Sequence, residues 1–516
     1  MESRSLRIAG GRSFAVFGLL ALSLYWVSIG FVSYSPFGVL QAGLVMLCPF
    51  LLLQRSSVVL GVAFLLFSLL LGIALAHVDR QSLWGQRAVL YLYIHLVWLL
   101  VLLSYTSLGG GMLFRAVVLV FVFLLGLINT SDIASNQKSI ALLEGGVLWV
   151  GLSIFGRTML PGSLLLRWWF GVVAVLCAAN LLAIRDGVGL ASWWRAVEIC
   201  GHLILGWSLY VWWRQDRLAA PLVAAGVVLA SLVCVSILVG TWLSLDDPQS
   251  HDWFYHPPLF RHVRHLGYFL CVGFVVSAWV FLTAPGRFWI LAWLVYVLVV
   301  SALLWSGGRG AFLAGLAGVI SLLLLGGFRQ KTWRWSGVVV GLLLSLWLSS
   351  LFPVEHPGLG WVSALQRSDG AASFNGLSTG RLDIWRYLWG FIVQRPWFGW
   401  GGEGVLAVWD GSLLNQAHNA FLQLLIEWGV TGLVVLGLPL FCGAVVGIFR
   451  CCSAPVEFQL RAGFGLVLVV ALLLLSMIDG VFYHGLPSAF FALGYVGNLA
   501  KWHNADMTIA SNRVWC

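Results

Sequence analysis

The chain has 516 residues, of which 60% are hydrophobic and only 9% are charged, and its formal net charge is +10. A soluble domain carries about 25% charged residues, so this chain lacks the polar side chains needed to cover a soluble surface. The composition therefore excludes soluble globular folds, coiled coils, disordered tails and nucleic-acid-binding modules. Because lysine and arginine fix the orientation of membrane proteins, we interpret the positive charge as a topology signal and expect no nucleic-acid partner.

Apolar runs separated by polar segments follow one another along nearly the whole chain. A transmembrane helix needs about 20 apolar residues, and an isolated strand would leave its backbone unpaired in lipid. We therefore predict an all-α polytopic membrane protein with roughly 12–16 transmembrane helices. The predicted spans are 13–31, 36–53, 58–76, 89–108, 112–128, 142–155, 164–182, 197–213, 221–243, 266–282, 289–305, 311–325, 338–351, 430–449, 464–477 and 487–499.

Polar segments of different length divide the chain into six parts. Arg4, Arg7 and Arg12 precede the first span and place the N-terminus in the cytoplasm, with the C-terminus on the same side. No small-residue cleavage site follows, so we predict that the first span is kept as an anchor. The predicted parts are an N-terminal transmembrane bundle (1–243), a periplasmic loop (244–265), transmembrane helices (266–351), a large periplasmic catalytic loop (352–429), C-terminal transmembrane helices (430–500) and a cytoplasmic tail (501–516).

The longest polar stretch, Phe352–Asn419, makes up most of this predicted catalytic loop, and loops of this length are uncommon without a function. Within it, Ser378 or Thr379 is placed to cap a helix, and Asp383 falls in the first turn, where an acidic side chain is favoured. Apolar residues then recur at helical spacing, which predicts an amphipathic helix lying on the membrane or on the helix bundle. These residues are Leu382, Trp385, Leu388, Trp389 and Ile392.

Four arginines stand where predicted helices begin on the outer side of the membrane. A charge at the membrane face is costly unless it serves a purpose, so Arg309 is an anion-binding candidate; the alternative is a snorkelling anchor. Arg381 stands at a helix start, where backbone N–H groups favour an anion; the alternative is a surface pair with Asp383. Arg261 and Arg264, at the entry to another span, form a further anion-binding candidate.

A histidine, His418, stands at the mouth of a predicted span. There it is suited to act as a general base near neutral pH; the alternative is a purely structural histidine. Glu427, inside the apolar run that follows, is predicted to bond to a partner or to orient the site. The four histidines of the loop 244–265 match no zinc spacing, so we predict no metal site and no cofactor.

Three short motifs, taken together, resemble those of the O-antigen ligase and O-antigen polymerase superfamily. They are Gly308-Arg309-Gly310, Gly380-Arg381 followed by Trp385, and His418-Asn419 followed after nine residues by Gly429 and after two more by Gly432. The resemblance covers about half of the chain, residues 261–432 and the spans around them. It implies a GT-C-like, metal-independent enzyme of the bacterial inner membrane, with one large periplasmic loop between late helices and an active site facing the periplasm.

The resemblance also implies a reaction, in which a glycan moves from undecaprenyl pyrophosphate to an acceptor hydroxyl with inversion at the anomeric carbon. On this hypothesis His418 takes the acceptor proton. Arg309, Arg381 and either Arg264 or Arg261 bind the pyrophosphate and stabilise the charge of the leaving group. A hydrophobic groove between spans holds the lipid tail. The supporting residues are Asn419, Asp383, Trp385, Glu427, Gly429 and Gly432.

Several alternatives stay open at this point. A ligase joins the glycan to lipid A–core, which we favour, a polymerase joins it to another lipid-linked glycan, and a related class O-glycosylates proteins. A transporter of lipid-linked oligosaccharide would use the arginines to bind pyrophosphate without chemistry. Outer tryptophans such as Trp385, Trp389 and Trp397 either stack on sugars or form the interfacial aromatic belt. Membrane lipids are partners in every case.

Overall fold

The part of the chain that can be described begins at residue 110. The computed structural model describes 110–126, six single positions between 140 and 155, 162–184, 189–371, 373–409 and 416–499. The four spans predicted before residue 110, most of the span predicted over 142–155, and the predicted tail 501–516 lie outside the described residues.

All regular secondary structure in these described segments is helical. Three short turns accompany the longer helices: a 3-10 turn over Leu322–Leu324, a π turn over Leu433–Gly437 and a second 3-10 turn over Val481–Tyr483. The helices are α1 Gly110–Leu125, α2 Ser163–Ala183, α3 Gly189–Trp213, α4 Ala219–Ser244, α5 Val263–Thr283, α6 Trp289–Trp305, α7 Arg309–Ser321, α8 Gly326–Arg329, α9 Thr332–Ser349, α10 Trp361–Asp369, α11 Phe374–Leu377, α12 Arg381–Gln394, α13 Gly404–Val408, α14 Ala420–Gly432, α15 Leu438–Ser453, α16 Val456–Ile478 and α17 Gly485–Leu499.

Among the described helices, five segments are long and apolar enough to cross a membrane, and three shorter apolar helices accompany them. The predicted class, an all-α polytopic membrane protein, is thereby confirmed. The total number of spans stays a prediction, because four of them were predicted before residue 110. The five long segments are Ser163–Ala183, Ala219–Ser244, Val263–Thr283, Ala420–Ser453 and Phe458–Ile478.

Several helices extend beyond the apolar runs that predicted them, because polar side chains at their ends find partners inside the protein. The run predicted to begin at residue 338 belongs to α9, which begins at Thr332. In its first turn the buried Arg334 donates to the carbonyls of Phe281 and Ala284, at 2.9 and 2.7 Å. These are carbonyls at the C-terminal end of α5 that lack intrahelical partners, so hydropathy alone underestimates the length of α9.

The described residues fall into two compact units. The first unit combines the described residues between 110 and 155 with Pro221–Ala230 and Leu259–Arg261. In it, Gly226 of α4 lies so close to α1 that a Cβ atom there would stand 2.9 Å from a methyl carbon of Val122. This close approach explains why a residue without a side chain occupies the contact.

The second unit holds the other described residues, and α5 is at its centre. This helix is buried along almost its whole length and packs on α6, α7 and α16. Two glycines of α7 permit close packing, because a Cβ atom on Gly315 would meet Phe274 at 2.6 Å and one on Gly318 would meet the Val467 carbonyl at 2.8 Å. Around this core, α17 packs on α3 and α16, and α14 packs on α2 and α12.

In the long polar segment between α9 and α14, the described residues 350–371, 373–409 and 416–419 include four short helices, α10 to α13. The predicted amphipathic helix is confirmed as α12, whose buried Leu388 and Ile392 pack in a cluster with Val405 and Ile426. The predicted cap is wrong, because the N-cap residue is Gly380, with φ of 79° and no side-chain hydrogen bond. Glycine adopts this left-handed conformation without the steric penalty of a Cβ atom, so it turns the chain sharply into α12.

Candidate active site

Three nitrogen-bearing side chains from distant parts of the second unit converge on one carboxylate, Asp479. The Nδ1 atom of His418 lies 2.9 Å from Asp479 Oδ1. On the other carboxylate oxygen, Arg381 Nη2 lies at 3.3 Å and Arg264 Nε at 3.8 Å. We call these four residues the Asp479 cluster.

Each member of the Asp479 cluster stands at a helix end. Asp479 is the C-cap of α16, and the N–H of Gly480 donates to its Oδ1 atom at 2.9 Å. Arg264 lies in the first turn of α5. The backbone N–H of Arg264 donates to Nδ1 of the N-cap residue His262 at 3.0 Å. Arg381 is the first residue of α12. Helix ends therefore bring together residues that are far apart in sequence.

The backbone around His418 is held in an uncommon conformation. His418 has φ of 51°, which is rare for a residue other than glycine and concentrates at functional sites. Its neighbours fix this conformation, since Asn419 caps α14 by accepting from the Leu422 N–H at 3.0 Å and donates to the Met477 carbonyl at 2.8 Å. On the other side, the Trp385 indole donates to the Ala417 carbonyl at 2.9 Å.

The charges of the cluster decide which groups are ionised. Burial by itself raises the pKa of Asp479, which is only 8% exposed, but the hydrogen bond with His418 and the charges of Arg264 and Arg381 outweigh burial. The pKa of Asp479 is therefore held well below its usual range. Because an ionised carboxylate only accepts hydrogen bonds, Nδ1 of His418 carries the hydrogen that it shares with Asp479. Its Nε2 atom is then the basic position of the ring.

A wall of aromatic rings lines the cluster on the side of α5. The buried His484 ring lies 4.5 Å from that of His265 and 5.7 Å from that of Tyr268, measured between centroids. Burial and the neighbouring His265 hold the pKa of His484 well below its usual range, so this ring is neutral. His484 therefore contributes no positive charge to the surroundings of the Asp479 cluster.

Arg309, the first residue of α7, contacts α10 and precedes a glycine that packs on the end of α16. Its Nη1 atom donates to the hydroxyl of Ser368 in α10 at 2.8 Å. The next residue, Gly310, packs on the end of α16, since a Cβ atom there would stand 2.8 Å from Ile478, the neighbour of Asp479. Burial and the charge of Arg309 lower the pKa of Arg367, which shows that a second arginine lies nearby.

Of two further predicted residues, Asp383 has another partner and Arg261 lies in the first unit. Asp383 is exposed and pairs with Arg386 at 3.3 Å, whereas Arg381 pairs with Asp479. Arg261 is exposed and belongs to the first compact unit, so its role stays a prediction.

The two predicted glycines shape the backbone of α14. Gly429 has φ of 61°, and a Cβ atom there would collide with the backbone of Pro396 and Trp397. The neighbouring N–H of Val430 donates to the Pro396 carbonyl at 2.7 Å. A Cβ atom on Gly432 would likewise collide with the side chain of Trp428. Both positions accept only a residue without a side chain unless the chain shifts.

Glu427 belongs to a second, buried group of charges. Its Oε1 atom lies 3.5 Å from Arg195 Nε and accepts from Gln423 at 2.8 Å. Arg195 also pairs with Glu198 at 3.3 Å, and the hydroxyl of Tyr483 donates to Glu403 at 2.6 Å. We call Arg195, Glu198, Glu403, Glu427 and Tyr483 the Arg195 cluster.

The Arg195 cluster is connected to the Asp479 cluster through the chain. The Arg195 guanidinium donates to the carbonyls of Phe482 and Tyr483, at 3.0 and 3.2 Å. These residues follow Asp479 within the same short connection between α16 and α17. Arg195 thereby ties this connection to α3.

A cavity of about 840 Å³ extends from this region between α2, α3, α14, α15 and α17. Its polar side chains include Arg195, Gln423 and Glu427. Its wall also includes Ala420 and Gly480, which stand two residues after His418 and one after Asp479. The rest of the wall is largely apolar and includes Trp168, Ile199, Leu203, Leu424, Val434 and Phe491.

Sequence reasoning missed Asp479 and Arg195. A signal for Asp479 was present, because a lone carboxylate follows the predicted span 464–477 and an ionisable residue at that depth is itself a functional candidate. Arg195 and Glu198, spaced three apart at the edge of the span 197–213, offered a weaker signal of a pair on one helix face. Nothing in the sequence joined either residue to its partners.

Part of this site lies in a segment that matches a known protein family. Residues 294–437, less than a third of the chain, match the family described as Wzy_C, O-antigen ligase. The match confirms the predicted similarity to the O-antigen ligase and polymerase superfamily, and it implies an enzyme of the ligase or polymerase type. The matched segment contains Arg309, Arg381 and His418, whereas Arg264 and Asp479 lie outside it. No curated protein matches the chain.

Proposed function

We propose that the protein transfers a glycan from undecaprenyl pyrophosphate to an acceptor hydroxyl, with inversion at the anomeric carbon, at the periplasmic face of a bacterial inner membrane. The observation that carries the proposal is the Asp479 cluster, in which a histidine oriented by a carboxylate lies next to two arginines. Such a group supplies a base and an anion site in one place.

His418 is the general base of the proposed reaction. Asp479 holds Nδ1, so Nε2 is oriented to accept the proton of the acceptor hydroxyl. The acceptor oxygen then forms the new bond to the anomeric carbon while the bond from that carbon to the phosphate oxygen breaks. The proton ends on His418 and passes to solvent, and undecaprenyl pyrophosphate leaves with the bonding electron pair.

The arginines stabilise the negative charge that grows on the leaving group. Arg264 and Arg381 face the single carboxylate of Asp479, so the cluster carries a net positive charge that a pyrophosphate can neutralise. Arginine suits this role because its planar fork binds phosphate oxygens in pairs. Arg264 is 40% exposed, which leaves its guanidinium accessible to a ligand from the solvent side. Arg309, at the neighbouring helix start, is a third contact in this proposal.

The lipid tail of the donor occupies the apolar cavity in our proposal. The support is its position and lining, because its wall reaches Ala420 and Gly480 beside the cluster and is otherwise mostly apolar. Burial of isoprenoid carbon contributes about 25 cal/mol per Å². In this proposal the general base lies outside the lipid and the cavity for the tail lies within the lipid. This arrangement fits a substrate with a polar headgroup and a hydrocarbon tail.

The test uses purified protein in nanodiscs with an undecaprenyl-pyrophosphate-linked glycan of the host strain, with or without lipid A–core. The readouts are the glycolipid product and released undecaprenyl pyrophosphate. We expect product on lipid A–core, reduced in His418→Ala by about 10²–10⁴-fold. Arg381→Met should also reduce it, by about 10²–10³-fold, because it removes a charge that stabilises the transition state.

Trp347→Ala is the control, since this exposed side chain lies in the last turn of α9, away from the Asp479 cluster in sequence and contacts. It should retain wild-type activity. Longer lipid-linked chains formed without lipid A–core would replace the ligase assignment by a polymerase. Movement of the donor across the bilayer that survives His418→Ala, with no release of undecaprenyl pyrophosphate, would replace the enzyme by a transporter.

A further inference from the structure

The outer loop between α4 and α5 is firmly anchored to the protein. Trp253 is fully buried, donates to the Pro248 carbonyl at 2.7 Å and packs on Trp305 with centroids 5.4 Å apart. The next residue, Phe254, stacks on His356 of the long polar segment, with centroids 4.2 Å apart and an interplanar angle of 20°. The loop therefore presents its remaining side chains from a fixed base.

Three side chains of this anchored loop point outward. The ring of Tyr255 is 56% exposed, although its neighbours Trp253 and Phe254 are packed. The Nδ1 atom of His256 lies 3.1 Å from Asp252 Oδ2, and these side chains are 77% and 46% exposed. The backbone N–H of Tyr255 donates to the same carboxylate at 3.0 Å, which ties the pair to the ring. We call Asp252, Tyr255 and His256 the Tyr255 platform.

The chemistry of the Tyr255 platform suits a sugar. A sugar ring has a face of C–H groups, which packs on an aromatic ring, and a rim of hydroxyls, which donate to carboxylates and imidazoles. Because the loop is held in place before any ligand binds, little conformational freedom is lost on binding.

The Tyr255 platform adjoins the Asp479 cluster. The rings of Tyr255 and His262 lie 5.4 Å apart, and the His262 ring accepts from the backbone N–H of Arg264 at 3.0 Å. The Nε atom of Arg264 in turn lies 3.8 Å from Asp479 Oδ2. A pyrophosphate on Arg264 would therefore carry its first sugar next to this surface.

We propose that the Tyr255 platform binds sugar residues of the donor glycan close to the pyrophosphate. The proposal rests on the proposed function and specifies which part of the site recognises the glycan. The donor is favoured over the acceptor because its first sugar is joined directly to the phosphate that Arg264 faces. The platform determines how tightly the donor binds and does not take part in the chemical step.

The test measures kcat and the KM values of donor and acceptor separately, from release of undecaprenyl pyrophosphate. Tyr255→Ala should raise the donor KM by about threefold to tenfold, with kcat and the acceptor KM within about twofold of wild type. Tyr255→Phe keeps the stacking face and should stay within about twofold of wild type. Asp252→Asn should raise the donor KM by about threefold, because it weakens hydrogen bonds to hydroxyls.

The matched control is Trp347→Ala, which removes an exposed aromatic side chain from the last turn of α9 and should leave both KM values unchanged. A second measurement uses the repeat-unit oligosaccharide without lipid, added as a competitor of the donor. Its inhibition constant should rise in Tyr255→Ala by the same factor as the donor KM.

Three other outcomes would contradict the role of the Tyr255 platform, its assignment to the donor, or the proposed function. If Tyr255→Ala behaves like Trp347→Ala in both measurements, the platform does not bind sugar. A rise in the acceptor KM alone would overturn the assignment to the donor. If wild-type protein releases no undecaprenyl pyrophosphate, the proposed function fails, and competitor binding measured directly by fluorescence of the protein still tests the platform.

Discussion

The two charged clusters of the second unit are opposite in composition. The Asp479 cluster has one carboxylate facing two arginines and a histidine. The Arg195 cluster has one arginine among the carboxylates Glu198, Glu403 and Glu427. Arg264 of the first cluster is 40% exposed, whereas Arg195 and the three glutamates of the second are buried.

The difference shows what each cluster can do. A partly exposed cluster with surplus positive charge is accessible to an anionic ligand, which supplies the missing negative charge. A buried cluster with surplus carboxylates cannot keep all of them ionised, and burial raises the pKa of Glu403 despite the opposing charge of Arg195. We therefore expect the Asp479 cluster to act on substrate and the Arg195 cluster to hold the protein together around it.

The largest effect is expected from Asp479→Asn. The variant keeps the size of the side chain but removes the charge that fixes the His418 tautomer, so kcat should fall by about 10³–10⁴-fold. The unfolding temperature in detergent at neutral pH should also fall, because the charge of Asp479 stabilises the fold above its ordinary pKa, so kcat is measured on protein shown to be folded. Glu355→Gln, which changes an exposed loop carboxylate, is the control and should retain activity.

The measurement is the rate of release of undecaprenyl pyrophosphate at saturating donor. Wild-type kcat in Asp479→Asn would contradict the role of the cluster in catalysis. A loss confined to donor KM would show instead that Asp479 serves only to position the arginines.

The next largest effect is expected from Arg195→Met, and it should appear in stability. Removing the partner of buried carboxylates destabilises a protein by about 3–5 kcal/mol. The same change frees the carbonyls of Phe482 and Tyr483, so the connection that carries Asp479 loses its tie to α3. We expect a lower unfolding temperature and, in the protein that remains folded, a reduced kcat.

Glu427→Gln is the matched comparison, because it removes one surplus carboxylate and keeps an oxygen for Gln423. It should change stability by about 1 kcal/mol or less. The double variant should lose less stability than the two single variants lose in total, because each change removes one partner of the same interaction. Additive losses would show that the two side chains do not interact.

The smallest effect is expected in the pH dependence of stability. The pKa of Asp479 is lower in the folded protein than its ordinary value of 3.8, so its charge stabilises the fold above that pH. This contribution is lost as the pH falls below about 4. Denaturation in detergent, followed by tryptophan fluorescence, should show that Asp479→Asn loses less stability than wild type as the pH falls below about 4.

Glu403 should behave in the opposite way. Burial raises its pKa above the ordinary value of 4.5, so the folded protein holds this proton more tightly than the unfolded chain. Stability is therefore lost as the pH rises through the raised pKa, and Glu403→Gln should remove that loss. Parallel pH curves for wild type and the two variants would show that the charge surplus of each cluster has no effect on stability.

Much of the helix framework follows from the sequence, because the thickness of the lipid core sets the length of apolar helices. The run 289–305 predicts α6 with the same bounds as the structure, and the spacing of Leu388 and Ile392 predicts the buried face of α12. The ends of α9 and α16 were predicted less well, since polar side chains continue these helices where the protein supplies partners.

The candidate site divides in the same way. The sequence by itself determined that His418, Arg381 and Arg264 are unusual, because charged or titratable groups near a membrane face require a reason. Only the tertiary structure decided that all three meet at Asp479, that Glu427 belongs with Arg195, and that Arg264 rather than Arg261 lies in this unit. The physical reason is that hydropathy depends on each residue and its neighbours, whereas an ion pair depends on helix ends that packing brings together across hundreds of residues.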